Sequence, residues 1–278
     1  MMTHSETAYH ELERDAALPR LLDEQGGRLY RLGLRFCGNH TDAQDLVQET
    51  FLLAYRKWDQ YRGESAVTTW LYTIASRVCQ RMHRRRAGEP QTMESLDELL
   101  PFGAAEQVLL KDRGKLPSDE AAHRDMLRRV ESAIAGLPID FRIPLILKDV
   151  IGLSLEEIGA VLELRPETVK TRLHRARLRV RKELEANLPK QPAPPPAYDR
   201  QVCLDLLRVK MDSLDRGAPF PVDRNVLCER CMGLFAELDL GRELCLELGQ
   251  GALPEEIRQV VLNAMADRAN ESSDESNT

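Results

Sequence analysis

Apolar residues recur along this chain at intervals of three and four. Leu29, Leu32 and Phe36; Val47, Phe51 and Ala54; Trp70, Ile74 and Val78; and Val130, Ile134 and Leu137 each fall on one face of a helix. Strand-like alternation is scarce, so the pattern predicts an all-α protein. Helix starts are signalled too. Ser154-Leu155-Glu156-Glu157 has the form of a capping box, in which Ser154 and Glu157 satisfy each other's exposed amides, and Pro166 suits the first turn of the helix that follows.

Breaks in the pattern divide the chain. Gly88-Glu89-Pro90 ends a basic helical run, and Pro189–Ala197 is too rich in proline for a helix or a packed strand. Three helical units are expected, at 18–88, 121–188 and 198–266. An acidic linker at 89–120 and a proline-rich one at 189–197 join them, and a polar tail, 267–278, follows.

Composition changes this picture little. Apolar residues make up 42% of the 278 and charged residues 30%, as expected of a folded globular protein. The N-terminal residues lack the apolar run of a signal peptide, and no stretch reaches the roughly 18 apolar residues of a membrane span. The expectation is a cytoplasmic protein without membrane contact. Charge matters through its distribution. The net charge is −6, yet basic residues crowd into Arg77–Arg86 and Lys170–Lys182, and the second window contains no acid.

From Leu153 onward two amphipathic helices are predicted, separated by a short break at Glu163–Arg165, which is the length of a helix-turn-helix. Leu155, Ile158 and Val161 would pack the first helix, and Val169 and Leu173 the second. Thr168, Lys170, Arg172, His174, Arg175, Arg177 and Arg179 would then face DNA, reaching phosphates or base edges from the major groove. A solvated basic helix is the plainer reading of a charge run. A capped helix, a break and a basic helix in succession are more specific.

The segments Asp45-Leu-Val-Gln-Glu-Thr-Phe-Leu, Trp58-Asp-Gln-Tyr-Arg-Gly-Glu-Ser and Trp70-Leu-Tyr-Thr-Ile-Ala resemble the polymerase-binding and promoter-melting domain of sigma-70 family factors, and the helix-turn-helix resembles their second conserved domain. Two such domains on a short acidic linker resemble the extracytoplasmic-function group. The resemblance implies a sigma factor that binds RNA polymerase core and directs initiation at promoter DNA. On a helix through Asp45–Ala54 the residues Asp45, Gln48, Glu49 and Leu52 share a face opposite the apolar one. The resemblance assigns that row to the clamp helices of polymerase. Tyr61, Arg62 and Ser65 lie in a Gly-containing loop suited to capturing an unstacked base at the minus-ten element. Trp58 and Trp70 are expected in the core, and Arg77, Arg81, Arg84, Arg85 and Arg86 along backbone phosphates. Many family members carry Asn where Arg77 stands, so base preference does not carry over.

The last third carries Cys203, Cys228, Cys231 and Cys245, whereas Cys37 and Cys79 stand alone as expected buried thiols. The Cys228-Glu-Arg-Cys231 motif and a later Leu-Pro-Glu-Glu-Ile-Arg helix resemble zinc-binding anti-sigma domains, here in the same chain. The four thiolates are candidate ligands of a tetrahedral zinc site, with a disulfide switch, copper and metal-free packing as alternatives. Arg224 stands where those domains usually place a His ligand. The implied regulation is intramolecular, or exerted by a separate anti-sigma factor, and its sign stays open. A helix-turn-helix operator-binding regulator would explain Leu153–Leu184 alone, and a metal- or redox-sensing module only the last third. An enzyme has least support, because no phosphate-cradling Gly loop, paired metal-spaced His or catalytic triad is found.

Overall fold

The computed structural model describes residues 9–84, 92–100, 102, 106–108, 120–186 and 190–275. Its elements are α1 (Arg14–Cys37), α2 (His40–Lys57), α3 (Val67–Arg84), α4 (Leu96–Leu99), α5 (Glu120–Ala135), α6 (Ile139–Leu145), α7 (Leu155–Leu162), α8 (Pro166–Glu185), α9 (Arg200–Arg216), α10 (Glu229–Leu248) and α11 (Glu255–Glu275). A π-helical turn, Ile146–Val150, continues α6. Two three-residue strands, β1 (Glu106–Val108) and β2 (Lys190–Pro192), pair antiparallel with Gln107 opposite Gln191. The fold is all-α, as the periodicity predicts. The proline-rich segment was expected to form neither helix nor packed strand, and Lys190–Pro192 makes a short strand whose residues are exposed or half-buried. Pro192 has no N–H to offer a ladder, and it sits at the end of an edge pair where that loss is tolerated.

Contacts divide the chain into two units. The first holds residues up to 88 with 157–164 and everything from 249 onward. In α1 the stripe Leu18, Leu22, Leu29, Leu32 and Phe36 is buried, and α1 ends where Gly38 turns to φ 77° and donates its N–H to the Leu34 carbonyl. Asn39 caps α2 by accepting from the Asp42 N–H at 2.8 Å. Leu46, Val47, Phe51 and Ala54 of α2 are fully buried. A Cβ on Gly33 would lie 2.8 Å from the Ala43 Cα, so α1 and α2 approach as closely as they do because residue 33 has no side chain. α3 adds Leu71, Tyr72, Ala75 and Val78 to this core. α11, far away in sequence, packs along α2 and α1 with Ile257, Val261 and Met265 buried, and Arg258 pairs with Asp23 at 2.7 Å.

The second unit holds residues 89–156 and 165–248. α5 and α6 pack on α8, whose Val169, Leu173, Ala176, Val180 and Leu184 form the buried stripe. Arg142 is buried and donates to the carbonyls of Ala135 and Leu137, satisfying the open end of α5. A second cluster covers another side of α8, joining Leu178 to Leu99 of α4, to Cys203, Leu207, Met211 and Leu214 of α9, and to Cys231, Leu234, Phe235 and Leu238 of α10. The expected third unit, 198–266, is thus divided, with α9 and α10 in one contact unit and α11 in the other. Among the described residues no helix is long and apolar enough to cross a membrane.

Candidate nucleic-acid interface

The break before α8 is where the sequence placed it. Glu163 adopts a left-handed φ of 57°, and Pro166 opens α8 one residue after Arg165. The basic face that follows is met by acids of the same chain. Lys170 Nζ lies 2.7 Å from Asp212 of α9, His174 Nε2 lies 3.0 Å from Asp215, and Arg172 lies 3.6 Å from Asp140 of α6. Arg175 donates to the Glu94 carbonyl at 2.5 Å and stacks over Phe141. Arg179 and Lys182 both reach the Glu94 carboxylate, at 3.1 and 2.8 Å. Thr168 is half-buried in the first turn.

Arg177 corrects the sequence reading. It was expected on the DNA face, yet only 6% of it is exposed. Two of its nitrogens donate to Asp149 at 2.8 Å, and a third donates to Asp215 at 2.6 Å. Burial disfavours its charge, but the two carboxylates outweigh burial and hold its pKa above the ordinary value. It is a core ion pair and cannot reach a phosphate in this arrangement. Arg181 is buried likewise and donates to Glu237 and Glu185 at 2.9 Å. Burial lifts the Glu237 carboxyl above its usual value against the pull of Arg181. The acids Asp212, Asp215 and Glu237 were missed by the sequence reading. Asp212 and Asp215, three apart on one face of α9, were the available signal.

In the first unit, Trp58, Tyr61 and Trp70 form an aromatic group with ring centroids 5.2 to 5.8 Å apart. Trp58 is buried and donates from Nε1 to the Leu12 carbonyl, whereas Trp70 is only half-buried. The Tyr61 hydroxyl donates to the Ser65 carbonyl at 2.9 Å and closes the loop on itself. Tyr61, Arg62, Ser65 and Trp70 line an open depression of about 500 Å³. Arg77 pairs with Glu163 at 2.5 Å, and Arg81 with Glu49. Arg84 ends α3, and its side chain lies outside the described residues, as do Arg85 and Arg86. On α2, Asp45 is exposed, while Gln48, Glu49 and Leu52 are half-buried. Glu49 is thus engaged by α3 and is not held free on that row.

The cysteines separate. Cys203 and Cys231 are buried in one apolar cluster where α9 meets the start of α10, with Cys228 packed against it. Cys245 does not join them. It lies fourteen residues beyond Cys231 on the same straight helix, about 21 Å away at a rise of about 1.5 Å per residue. A four-thiolate site is therefore not formed. Among the described residues, the group of three His, Cys or carboxylate ligand atoms mutually within 4.8 Å is His174, Asp212 and Asp215. Lys170 and Arg177 already neutralise its two carboxylates. Cys37 and Cys79 are both buried.

Family models match two segments, Sigma-70 region 2 over residues 21–89 and Sigma-70, region 4 over residues 127–180. The chain is 35% identical over 171 residues to the ECF RNA polymerase sigma factor SigE of Mycolicibacterium smegmatis, a match spanning 60% of this chain and 62% of that protein. It is 32% identical over 168 residues to the ECF RNA polymerase sigma factor SigW of Bacillus subtilis, with 60% of this chain and 89% of that protein covered. A solved structure of CnrH in complex with the cytosolic domain of CnrY aligns with 22% identity and a TM-score of 0.48, over 66% of this chain and 99% of that one.

Proposed function

Because the chain belongs to the extracytoplasmic-function group of sigma-70 RNA polymerase sigma factors, we propose that it joins polymerase core, directs promoter-specific initiation, and is restrained by its own C-terminal helices. In this reading α2 meets the polymerase clamp through Asp45, Gln48, Glu49 and Leu52. Tyr61, Arg62 and Ser65 hold an unstacked base of the minus-ten element, with Arg77, Arg81 and Arg84 along the backbone. Thr168, Lys170, Arg172, His174 and Arg175 meet the minus-thirty-five duplex, and Arg177 supports α8 from within. Promoter opening asks no covalent chemistry of these groups. It needs only tighter binding to separated strands than to duplex.

The observation that carries the restraint is the pairing of α8. Lys170 and His174 are engaged by Asp212 and Asp215 of the C-terminal segment, so carboxylates stand where phosphates would bind. α11 packed along α2 supports a parallel restraint on polymerase binding. Cys203, Cys228 and Cys231 share one region but do not form a group of three ligand atoms within 4.8 Å of one another, and neither Cys245 nor Arg224 completes the set, so the residues present do not fit a zinc ion.

Transcription from a cognate promoter with purified core polymerase tests the proposal. The full chain, its Asp212→Asn variant and a chain ending at Leu188 are compared. All three should support promoter-specific transcripts, the two altered chains more strongly. No transcript from any of them ends the sigma reading, and equal yields from all three end the restraint.

A further inference from the structure

Leu100 and Phe102, just after α4, are partly buried against the apolar cluster that holds Leu99 and Leu207. With Tyr198, Arg200 and Arg230 they line an open cavity of about 670 Å³ inside the second unit. Small-molecule sites are clefts of about 300–1,000 Å³ with mostly apolar walls and a few placed polar groups. Those groups are already held here. Arg230, half-buried at the start of α10, donates from Nε to the Pro194 carbonyl at 3.1 Å and from Nη1 to the Phe102 carbonyl at 2.9 Å. These bonds leave the Nη1–Nη2 edge with an N–H on each nitrogen, the fork that holds a carboxylate through two parallel bonds. Tyr198 donates its hydroxyl to the Val226 carbonyl at 2.6 Å, which fixes an exposed ring on the cavity wall. Arg200 pairs with Asp97, so the lining sets two guanidinium groups against one carboxylate and stays net positive.

We propose that this cavity binds a small aromatic carboxylate, with its ring against Tyr198, Leu100 and Phe102 and its carboxylate on the Arg230 fork. Such a molecule matches both halves of the lining. A bare anion would leave the apolar wall wet, and a neutral aromatic would meet the guanidinium without a charge to receive it.

The consequence for regulation rests on the restrained-sigma reading. The lining is drawn from the segment after α4, the proline-rich linker, α9 and α10. A ligand that touches all of them binds only while they are assembled, so it stabilises the arrangement in which α9 sets Asp212 and Asp215 against Lys170 and His174 of α8. The carboxylate thereby strengthens the restraint.

The test titrates the full chain by calorimetry with naphthoate, with naphthamide as its neutral counterpart, and with inorganic phosphate. Naphthoate should bind with a Kd below about 1 mM, and the other two at least about tenfold more weakly. Arg230→Lys keeps the charge but loses the fork, so it should weaken naphthoate about tenfold and leave naphthamide unchanged. Tyr198→Ala should weaken both aromatic probes. Tyr198 lies outside the core, so this variant decides the matter even where Arg230→Lys loosens the fold. No saturable binding of naphthoate, equal affinity for naphthamide, or unchanged naphthoate affinity in either variant overturns the site. Hydrogen exchange in α9 should slow with naphthoate bound, and transcription by the full chain should fall while that by the chain ending at Leu188 holds. Unchanged exchange overturns the link to α8. Binding and exchange are read without polymerase, so their failure is distinct from a failure of the sigma activity.

Discussion

Arg177 and Lys170 lie two turns apart on α8 and carry the same charge, yet their environments set opposite expectations. Arg177 is enclosed with Asp149 and Asp215, and Arg177→Ala would leave two buried carboxylates without a cation. A loss of about 3–5 kcal/mol is expected, measured as a shift in urea midpoint. Lys170 is about one-third exposed, so Lys170→Ala should cost at most about 1 kcal/mol. Asp215 adds a pH dependence. Burial pushes its carboxyl up, but the His174 hydrogen bond and the Arg177 charge outweigh burial and hold it below its ordinary 3.8. A carboxyl with a depressed folded pKa contributes stability that is complete above the unfolded value and lost as pH falls through the folded one. The stability difference between wild type and Asp215→Asn should stay constant from roughly pH 7 to 5 and shrink only below about pH 4.

At the scale of elements, close approach and double burial govern. α1 and α2 meet at Gly33, where an added methyl would press on the Ala43 backbone. Gly33→Ala is expected to destabilise the first unit by about 1–3 kcal/mol, read by the near-UV circular dichroism of Trp58 and Trp70. α8 is covered on two sides, by α5 and α6 and by the cluster around Leu178. In the proposed restraint a helix that enters a groove must free one side, so the cluster around Leu178 would oppose DNA binding together with the ion pairs. Asp212→Asn should strengthen promoter binding of the full chain, and the slope of log affinity against log salt should steepen by about 0.9 as Lys170 neutralises one more phosphate. An unchanged slope would mean that Lys170 meets no phosphate.

For the whole molecule, the segment after the proline-rich linker contributes to both contact units. α9 and α10 complete one core, and α11 completes the other. Removing α11 by ending the chain at Pro254 should expose Val261's seat on the first unit, lowering its stability while raising affinity for polymerase core about tenfold, equivalent to about 1.4 kcal/mol. Titration of labelled core polymerase reads this directly. Lower stability with unchanged affinity would show that α11 is only a structural strut.

Local chemistry made much of this legible in the sequence. The period of three and four, the break before Pro166 and the basic run on α8 all depend on neighbours a few residues away, and the helices appear where those signals stand. The sigma-type motifs singled out the loop at Trp58–Ser65 by resemblance. The separation of Cys245 from Cys231 was available in principle, but apolar residues surround α10 on every side and no single stripe marks it as one unbroken helix. Other features required the tertiary structure. Arg175 and Arg177 look alike in a charge run, and only Asp149 and Asp215, 28 and 38 residues away, determine that one is buried and the other lies over Phe141. The allocation of α11 to the first core depends likewise on partners more than two hundred residues earlier, such as Asp23 for Arg258. Helix formation follows from short-range hydrogen bonds and side-chain spacing, whereas the burial of a charge depends on which distant surface covers it.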